Sequence, residues 1–349
     1  MVLIIGIKRN IALCMAAALI WGNLCGAAKY EKSISAASAV LMHDGQVLYG
    51  KNENSRLPMA STTKLMTAIV TIENTEPDEV VKIAPEYCAI EGSSMYLKPG
   101  TEKTVLELLK GLMLVSGNDA ALALAGHVSG TTEKFVALMN KKAAELGMKD
   151  THFANPHGLN NSSHYSTARD MAILMEYCME NELFAKISSQ KSFDCDGAQL
   201  LNHNKLLFIC EGCVGGKTGY TMASGRCLVS CCEREGVRVV CVTLSAPDDW
   251  NDHMALYKWC YDKYSPRSVT DGISFSVPIL AEGREEILLL PERELSVFVE
   301  DRALVSLDAH LPWFVFEPVE KGEKGGIVSI YIDGKSVGEY YLIYSEDHY

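Results

Sequence analysis

The stretch Pro58-Met59-Ala60-Ser61-Thr62-Thr63-Lys64 begins a run, Ser61 to Ile72, that is apolar nearly all round and reads as a buried helix. Residues three apart share a helix face, so the Ser61 hydroxyl and the Lys64 amine fall within reach of each other. A serine hydroxyl is a poor nucleophile until a base takes its proton, and a desolvated lysine near another cation can be that base. The same spacing, taken alone, also fits an N-capping serine beside a solvated lysine.

Before this helix, the runs Ser38 to Met42 and Gln46 to Gly50 alternate as strands joined through His43-Asp44-Gly45, a hairpin signal. After it, helical periodicity continues through Val105 to Val115, Glu133 to Leu146 before Gly147, and a segment opened by Thr167 and Asp170. Strand patterns return at Cys213 to Gly216, Cys227 to Cys232 and Val237 to Leu244, and a helix from about Trp250 to Tyr264 closes the region. Strands at both ends therefore flank a helical insertion. Past Ser265 the pattern changes to short alternating runs: Ile273 to Val277, Glu286 to Leu290, Leu295 to Val299, Trp313 to Glu317, Ile327 to Ile332 and Ser336 to Tyr344. They predict a second, small all-β domain.

A chain of 349 residues with 48% hydrophobic and 22% charged residues has the composition of an ordinary globular protein of about two domains. Its 44 acidic against 32 basic residues give a net charge of −12, which repels nucleic acid, and no basic patch offsets it. Lys8 and Arg9 precede an apolar run from Ile11 to Trp21 and the small residues Gly26, Ala27 and Ala28. This is the order of a secretory signal peptide, with an apolar core too short to span a bilayer comfortably. The expected divisions are 1–28 as leader, 29–265 as the main domain and 270–349 as the β domain, with the mature chain exported.

Export makes the cysteines informative, because an oxidising compartment favours disulfides. Cys210-x-x-Cys213 followed by Cys227, Cys231 and Cys232 also admits a zinc reading. The alternation of Cys227 to Cys232 looks like a strand, which sends Cys232 to the face opposite Cys227 and Cys231. Packing as small hydrophobes is the reading adopted, with no metal and no cofactor expected.

Two further segments carry chemistry. Ser116-Gly117-Asn118 breaks two apolar helical stretches, so that Ser116 can relay a proton and Asn118 can hydrogen-bond a peptide. Gly216-Lys217-Thr218-Gly219-Tyr220 sets a cation and a hydroxyl between glycines at the end of a strand, where a substrate backbone can approach. Each segment alone is an ordinary helix junction or loop. In the order S-x-x-K, S-x-N, K-T-G they form the motif set of the penicillin-recognising serine acyltransferases.

The segments Leu57 to Thr67, Gly92-Ser93-Ser94-Met95, Val115 to Ala120, Phe153-Ala154-Asn155-Pro156-His157-Gly158-Leu159 and His164 to Asp170 narrow the match. Over about Ile34 to Tyr264 the chain resembles the D-alanyl-D-alanine carboxypeptidases, the low-molecular-mass penicillin-binding proteins of serine peptidase family S11. The resemblance implies an α+β fold, a β-lactamase/transpeptidase-like antiparallel sheet flanked by helices with an inserted helical lobe, here followed by a small β sandwich. It implies removal of the terminal D-alanine from peptidoglycan stem pentapeptides through an acyl-enzyme, and acylation by β-lactams. Carried over, Ser61 is the nucleophile, Lys64 its base and Ser116 a proton relay. Asn118, Lys217, Thr218, Gly219 and Tyr220 bind substrate, and the N–H groups of Ser61 and Tyr220 form the oxyanion hole.

Two other functions share the motif order. A class A β-lactamase adds a glutamate in an E-x-x-L-N setting, which residues 145 to 175 lack, and a non-catalytic β-lactam sensor is expected to carry a signalling transmembrane segment. His157 and His164 read as loop-bracing residues. The family's C-terminal amphipathic membrane helix has no counterpart in Tyr344-Ser345-Glu346-Asp347-His348-Tyr349, so no membrane anchor is expected there. Where the family commonly grips the substrate carboxylate with an arginine, this chain has Ala246-Pro247-Asp248-Asp249-Trp250-Asn251-Asp252. The expectation is therefore that Lys217 and Thr218 hold the carboxylate, that Asp248 to Asp252 only caps a helix, and that Arg226 is a possible substitute.

Overall fold

The computed structural model describes residues 4–9, 30, 33–280 and 285–349. The chain forms two compact units, Lys29–Cys260 and Tyr261–Tyr349, the latter with the N-terminal strand Ile4–Arg9.

The first unit is built on a five-stranded antiparallel sheet in the order Gln46–Lys51, Ser38–His43, Val237–Leu244, Gly225–Arg234, Cys213–Thr221. The Asp44-Gly45 signal is realised with both residues at positive φ, 45° and 75°, the conformation a two-residue hairpin requires. Between the second and third strands of the sequence lies the helical lobe. Helix Lys64–Ile72 is buried from Lys64 to Thr71, because every face of it meets other apolar elements. Around it pack Val105–Leu114, Asn118–Ser129, Thr132–Glu145 and Ala168–Met179. Their starts are fixed locally: Thr104 and Glu107 form a capping box, and the Thr167 hydroxyl accepts from Asp170 N at 3.0 Å. Two short hairpins inside the lobe, Val80–Lys82 with Glu102–Thr104 and Ser192–Cys195 with Ala198–Leu201, go beyond the sequence reading.

The strand Cys213–Thr221 runs longer than its apolar pattern, so Lys217-Thr218-Gly219-Tyr220 lies within the ladder and not in a loop. It is the last strand of the sheet, which leaves one edge of it unpaired among the described residues.

The second unit holds a six-stranded sheet in the order Ile4–Arg9, Val305–Leu311, Lys324–Ile332, Lys335–Tyr344, Glu285–Pro291, Phe275–Ile279, and a two-stranded one, Tyr264–Ser268 with Ser296–Glu300. Two details correct the sequence reading. Trp313 to Glu317 is not a strand: Pro312 and Pro318 bracket it, and only Val315 makes a bridge, to Ile279. Two strands of this unit go unread in the sequence, Tyr264–Ser268 and Val305–Leu311; the latter buries alternate residues while Asp308 and His310 interrupt its apolar pattern. Of the expected leader, Ile4–Arg9 pairs in parallel with Val305–Leu311, and residues 10–29 lie outside the described ones.

Candidate active site

Ser61 lies on a 3₁₀ turn, Ala60–Thr63, that runs into helix Lys64–Ile72. Ala60 enters the turn at φ 47°, a conformation that costs an alanine energy and that its surroundings must impose. Gly158 is part of what imposes it: at φ 91°, a Cβ there would stand 2.0 Å from Ala60 O, so only glycine lets this loop close on the turn. Asn155 shapes the loop by accepting from Gly158 N at 2.7 Å. His164 holds the turn from the other side, its Nε2 against Thr63 Oγ1 at 2.7 Å while its Nδ1 accepts from Ala154 N at 2.9 Å. Burial drives His157 down to about 3 and His164 to about 4, so both are neutral, bracing imidazoles at physiological pH.

The Lys64 amine sits at the centre. Its Nζ lies 2.7 Å from Asn118 Oδ1, 2.7 Å from His157 O and 3.0 Å from Ser61 Oγ. Full burial and the nearby Lys217 cation push its pKa well below the usual lysine value, with Asp119 pulling weakly the other way. A neutral amine has two N–H donors and one lone pair. The two carbonyl oxygens can only accept, so in the neutral form the donors go to them and the lone pair is left for the Ser61 hydroxyl. That is the arrangement of a base poised to take the serine proton.

Asn118 starts helix Asn118–Ser129, and its Nδ2 donates to Glu91 O at 2.7 Å, which fixes the amide oxygen toward Lys64. Asp119, missed by the sequence reading, is a positioning residue. Its carboxylate accepts from Met95 N and Leu97 N at 3.0 Å and from Ser94 Oγ at 2.6 Å, folding the Gly92 to Leu97 segment beside the site. Ser116 occupies the turn between helices at φ 63°, and its buried Oγ has no hydrogen-bond partner among the described residues. A buried hydroxyl left unpaired is costly unless something else satisfies it.

The third segment completes the site. Gly219 allows the strand to press against the nucleophile turn, since a Cβ on it would lie 3.0 Å from Ser61 N. Lys217 is buried, donates to Thr218 O at 2.8 Å, and is lowered to about 7 by burial. A cleft of about 430 Å³ opens over these groups, lined by Ser61, Ser116, Thr218, Gly219 and the exposed Tyr220. Lys217 does not line it.

Arg226, Asp249 and Trp250 do line it. Arg226 stands opposite Tyr220 across the two strands, its Nε and Nη2 donating to Asp249 Oδ1 at 3.0 and 2.6 Å and its guanidinium 5.7 Å from the Trp250 ring centroid. The expectation that Asp248 to Asp252 serves only as a cap is thus incomplete. Asp252 does tie the helix to Ser35 and Ala36, and Asp248 holds Asn251, but Asp249 faces the cleft and aligns an arginine. Register across the ladder brings these groups together, and local sequence carries no signal for it.

One cluster has metal-ligand spacing among the described residues, Glu107, Cys195 and Asp196. Lys103 already provides its positive charge, 2.7 Å from Asp196 and 3.4 Å from Glu107.

Residues 26–248 match the D-alanyl-D-alanine carboxypeptidase family, Peptidase S11. D-alanyl-D-alanine carboxypeptidase DacF of Bacillus subtilis is 32% identical over 91% of this chain and 87% of its own length. Penicillin binding protein 5 from Haemophilus influenzae superposes with a TM-score of 0.76 at 28% identity, covering 92% of this chain and 99% of that one. The Streptomyces K15 DD-transpeptidase, at 32% identity and a TM-score of 0.64, covers 67% of this chain and 100% of its own. By this match and by the fold, the chain belongs to the D-alanyl-D-alanine carboxypeptidase family of serine peptidases.

Proposed function

We propose that this chain removes the terminal D-alanine from peptidoglycan stem pentapeptides through an acyl-enzyme on Ser61, and that β-lactams acylate the same hydroxyl. The observation that carries this reading is the buried Lys64 amine, its pKa pushed down by burial and the Lys217 cation, 3.0 Å from Ser61 Oγ and 2.7 Å from two carbonyl oxygens. Lys64 takes the Ser61 proton as Oγ attacks the penultimate D-alanine carbonyl, and the N–H groups of Ser61 and Tyr220 receive the developing oxyanion. The proton passes through Ser116, whose hydroxyl has no other partner, to the departing D-alanine nitrogen. Water then enters, Lys64 accepts its proton, and the ester at Ser61 is hydrolysed to free acid and free serine.

Asn118 holds the substrate peptide while keeping Lys64 in place. Thr218 and Arg226 hold the terminal carboxylate, with Asp249 and Trp250 positioning the guanidinium; Lys217, withdrawn from the cleft, acts by its charge on Lys64. Export with cleavage near Ala28 rests on the Lys8-Arg9 and Ile11 to Trp21 pattern. No described helix is long and apolar enough to cross a membrane.

The test incubates the purified protein with a fluorescent penicillin and with a D-alanyl-D-alanine peptide. A covalently labelled band together with released D-alanine supports the reading. Label without release makes the chain a β-lactam-binding protein that is not a carboxypeptidase, and absence of both rejects the proposal.

A further inference from the structure

Cys210-x-x-Cys213 takes no part in the chemistry described above, yet it adjoins the strand that carries Lys217-Thr218-Gly219. Cys210 follows the helical turn Leu206–Ile209, and Cys213 opens the strand Cys213–Thr221 directly across from Cys232 on the neighbouring strand. The Cys232 Sγ lies 3.4 Å and the Cys210 Sγ 3.8 Å from one acceptor, the carbonyl oxygen of Glu211. The Arg234 guanidinium donates to that same oxygen at 3.1 Å. Two thiols that share one acceptor are neighbours, and no disulfide joins the ten described cysteines.

The three thiols are not equivalent. Cys210 is half-buried, within reach of a small oxidant, whereas Cys232 is buried behind it. A hydrogen bond from Cys232 and the nearby Arg234 charge lower the Cys210 thiol to about 7, which makes it the thiolate of the group near neutral pH. Cys213 turns away, its Sγ directed to Gly215 O at 3.7 Å, and burial raises it to about 11. Attack therefore starts at Cys210 and resolves at Cys232, not within the C-x-x-C pair.

We propose that Cys210 and Cys232 form a reversible disulfide that staples the segment leading into the Lys217-Thr218-Gly219 strand onto its neighbour. The oxidant is a low-molecular-mass disulfide. The Cys210 thiolate attacks one of its sulfurs, forming a mixed disulfide and releasing one thiolate. The Cys232 sulfur then attacks Cys210, the second small thiol leaves with the proton, and two protein thiols have been oxidised as one disulfide is reduced. The inference does not depend on the substrate assigned to the cleft.

The experiment treats the reduced full chain with glutathione disulfide under native conditions, then blocks remaining thiols and maps peptides by mass spectrometry. The expected result is the loss of two hydrogens, with the peptide containing Cys210 and Cys213 joined to that containing Cys232. The link should disappear in Cys210→Ser, persist in Cys213→Ser, and be reversed by dithiothreitol. A link that survives in Cys210→Ser, a Cys210–Cys213 bond, or a glutathione adduct left on Cys210 with no cross-link would overturn the proposal.

Discussion

Replacing Arg226 with glutamine tests how the cleft recognises a free carboxylate. Both donors named so far, Nε and Nη2, are committed to one oxygen of Asp249, at 3.0 and 2.6 Å. This leaves the Nη1 side of the fork for the cleft, with the side chain 43% exposed against 4% for Asp249. A hydrogen bond to a charged partner contributes about 1.5–3 kcal/mol, which corresponds to about 10- to 150-fold in kcat/KM. The measurement is kcat/KM for a D-alanyl-D-alanine peptide against its C-terminal amide. Wild type should favour the acid, Arg226→Gln should cut that preference by about 10- to 150-fold, and Arg226→Lys should recover only part of it, because an ammonium cannot form the fork. Asp249→Asn should give an intermediate loss, since it loosens the arginine without removing it. An unchanged acid-to-amide ratio in Arg226→Gln, with collapse in Thr218→Val, would refute the assignment and return the carboxylate to Thr218 and Lys217.

The remaining predictions concern the nucleophile, the base and the frame. Ser61→Ala should abolish both penicillin labelling and D-alanine release, and a covalent label elsewhere on this variant would contradict the nucleophile assignment. Lys64→Ala should slow acylation by about two to four orders of magnitude, as expected for loss of a general base, measured by stopped-flow with a chromogenic β-lactam. Lys217→Gln removes the cation that depresses Lys64, so the acid limb of the acylation pH profile should move to higher pH; a move to lower pH would be inconsistent with the electrostatic role. Asp119→Ala, which strands Met95 N and Leu97 N, should cost about 1.5–3 kcal/mol or more in urea unfolding, against near-neutral change for an exposed acid such as Glu133.

What the sequence made legible follows from which features are local. Ser61 and Lys64 are three residues apart, so the 3₁₀ turn running into the helix brings them to 3.0 Å, and their proximity is legible from the spacing while their role needs the other motifs. The Asp44-Gly45 hairpin, the Thr167 cap and the strand–helix–strand order are local in the same sense. Asn118 became assignable only through the joint motif order, because its contact with Lys64 spans 54 positions. The His157 carbonyl that occupies a Lys64 donor is a main-chain atom, which no side-chain pattern encodes. Arg226 and Asp249 are hard to read for another reason: an ungapped reading of one segment sees three acids, while the strand pairing that sets Arg226 beside Ala246, and so against Asp249, is a tertiary property. Trp313 to Glu317 has the opposite character: the flanking Pro312 and Pro318, which oppose strand pairing, are visible in the sequence beside the alternation that suggests a strand.

The two lysines also explain why the site needs both. Burial alone lowers Lys217 to about 7, whereas Lys64 is driven down by burial and then by the Lys217 cation. Under the proposed mechanism the proton that Lys64 takes from Ser61 arrives beside the Lys217 cation, which makes the resulting ammonium a stronger acid toward Ser116 and the departing amine. The Asp119 carboxylate opposes this shift and pulls Lys64 back up. A lysine in water, held near its usual value, is protonated throughout the physiological range and offers no lone pair. Buried 3.0 Å from the Ser61 hydroxyl and within 2.7 Å of two carbonyl oxygens, the Lys64 proposed as base has its direction set by geometry and its strength tuned by its neighbour.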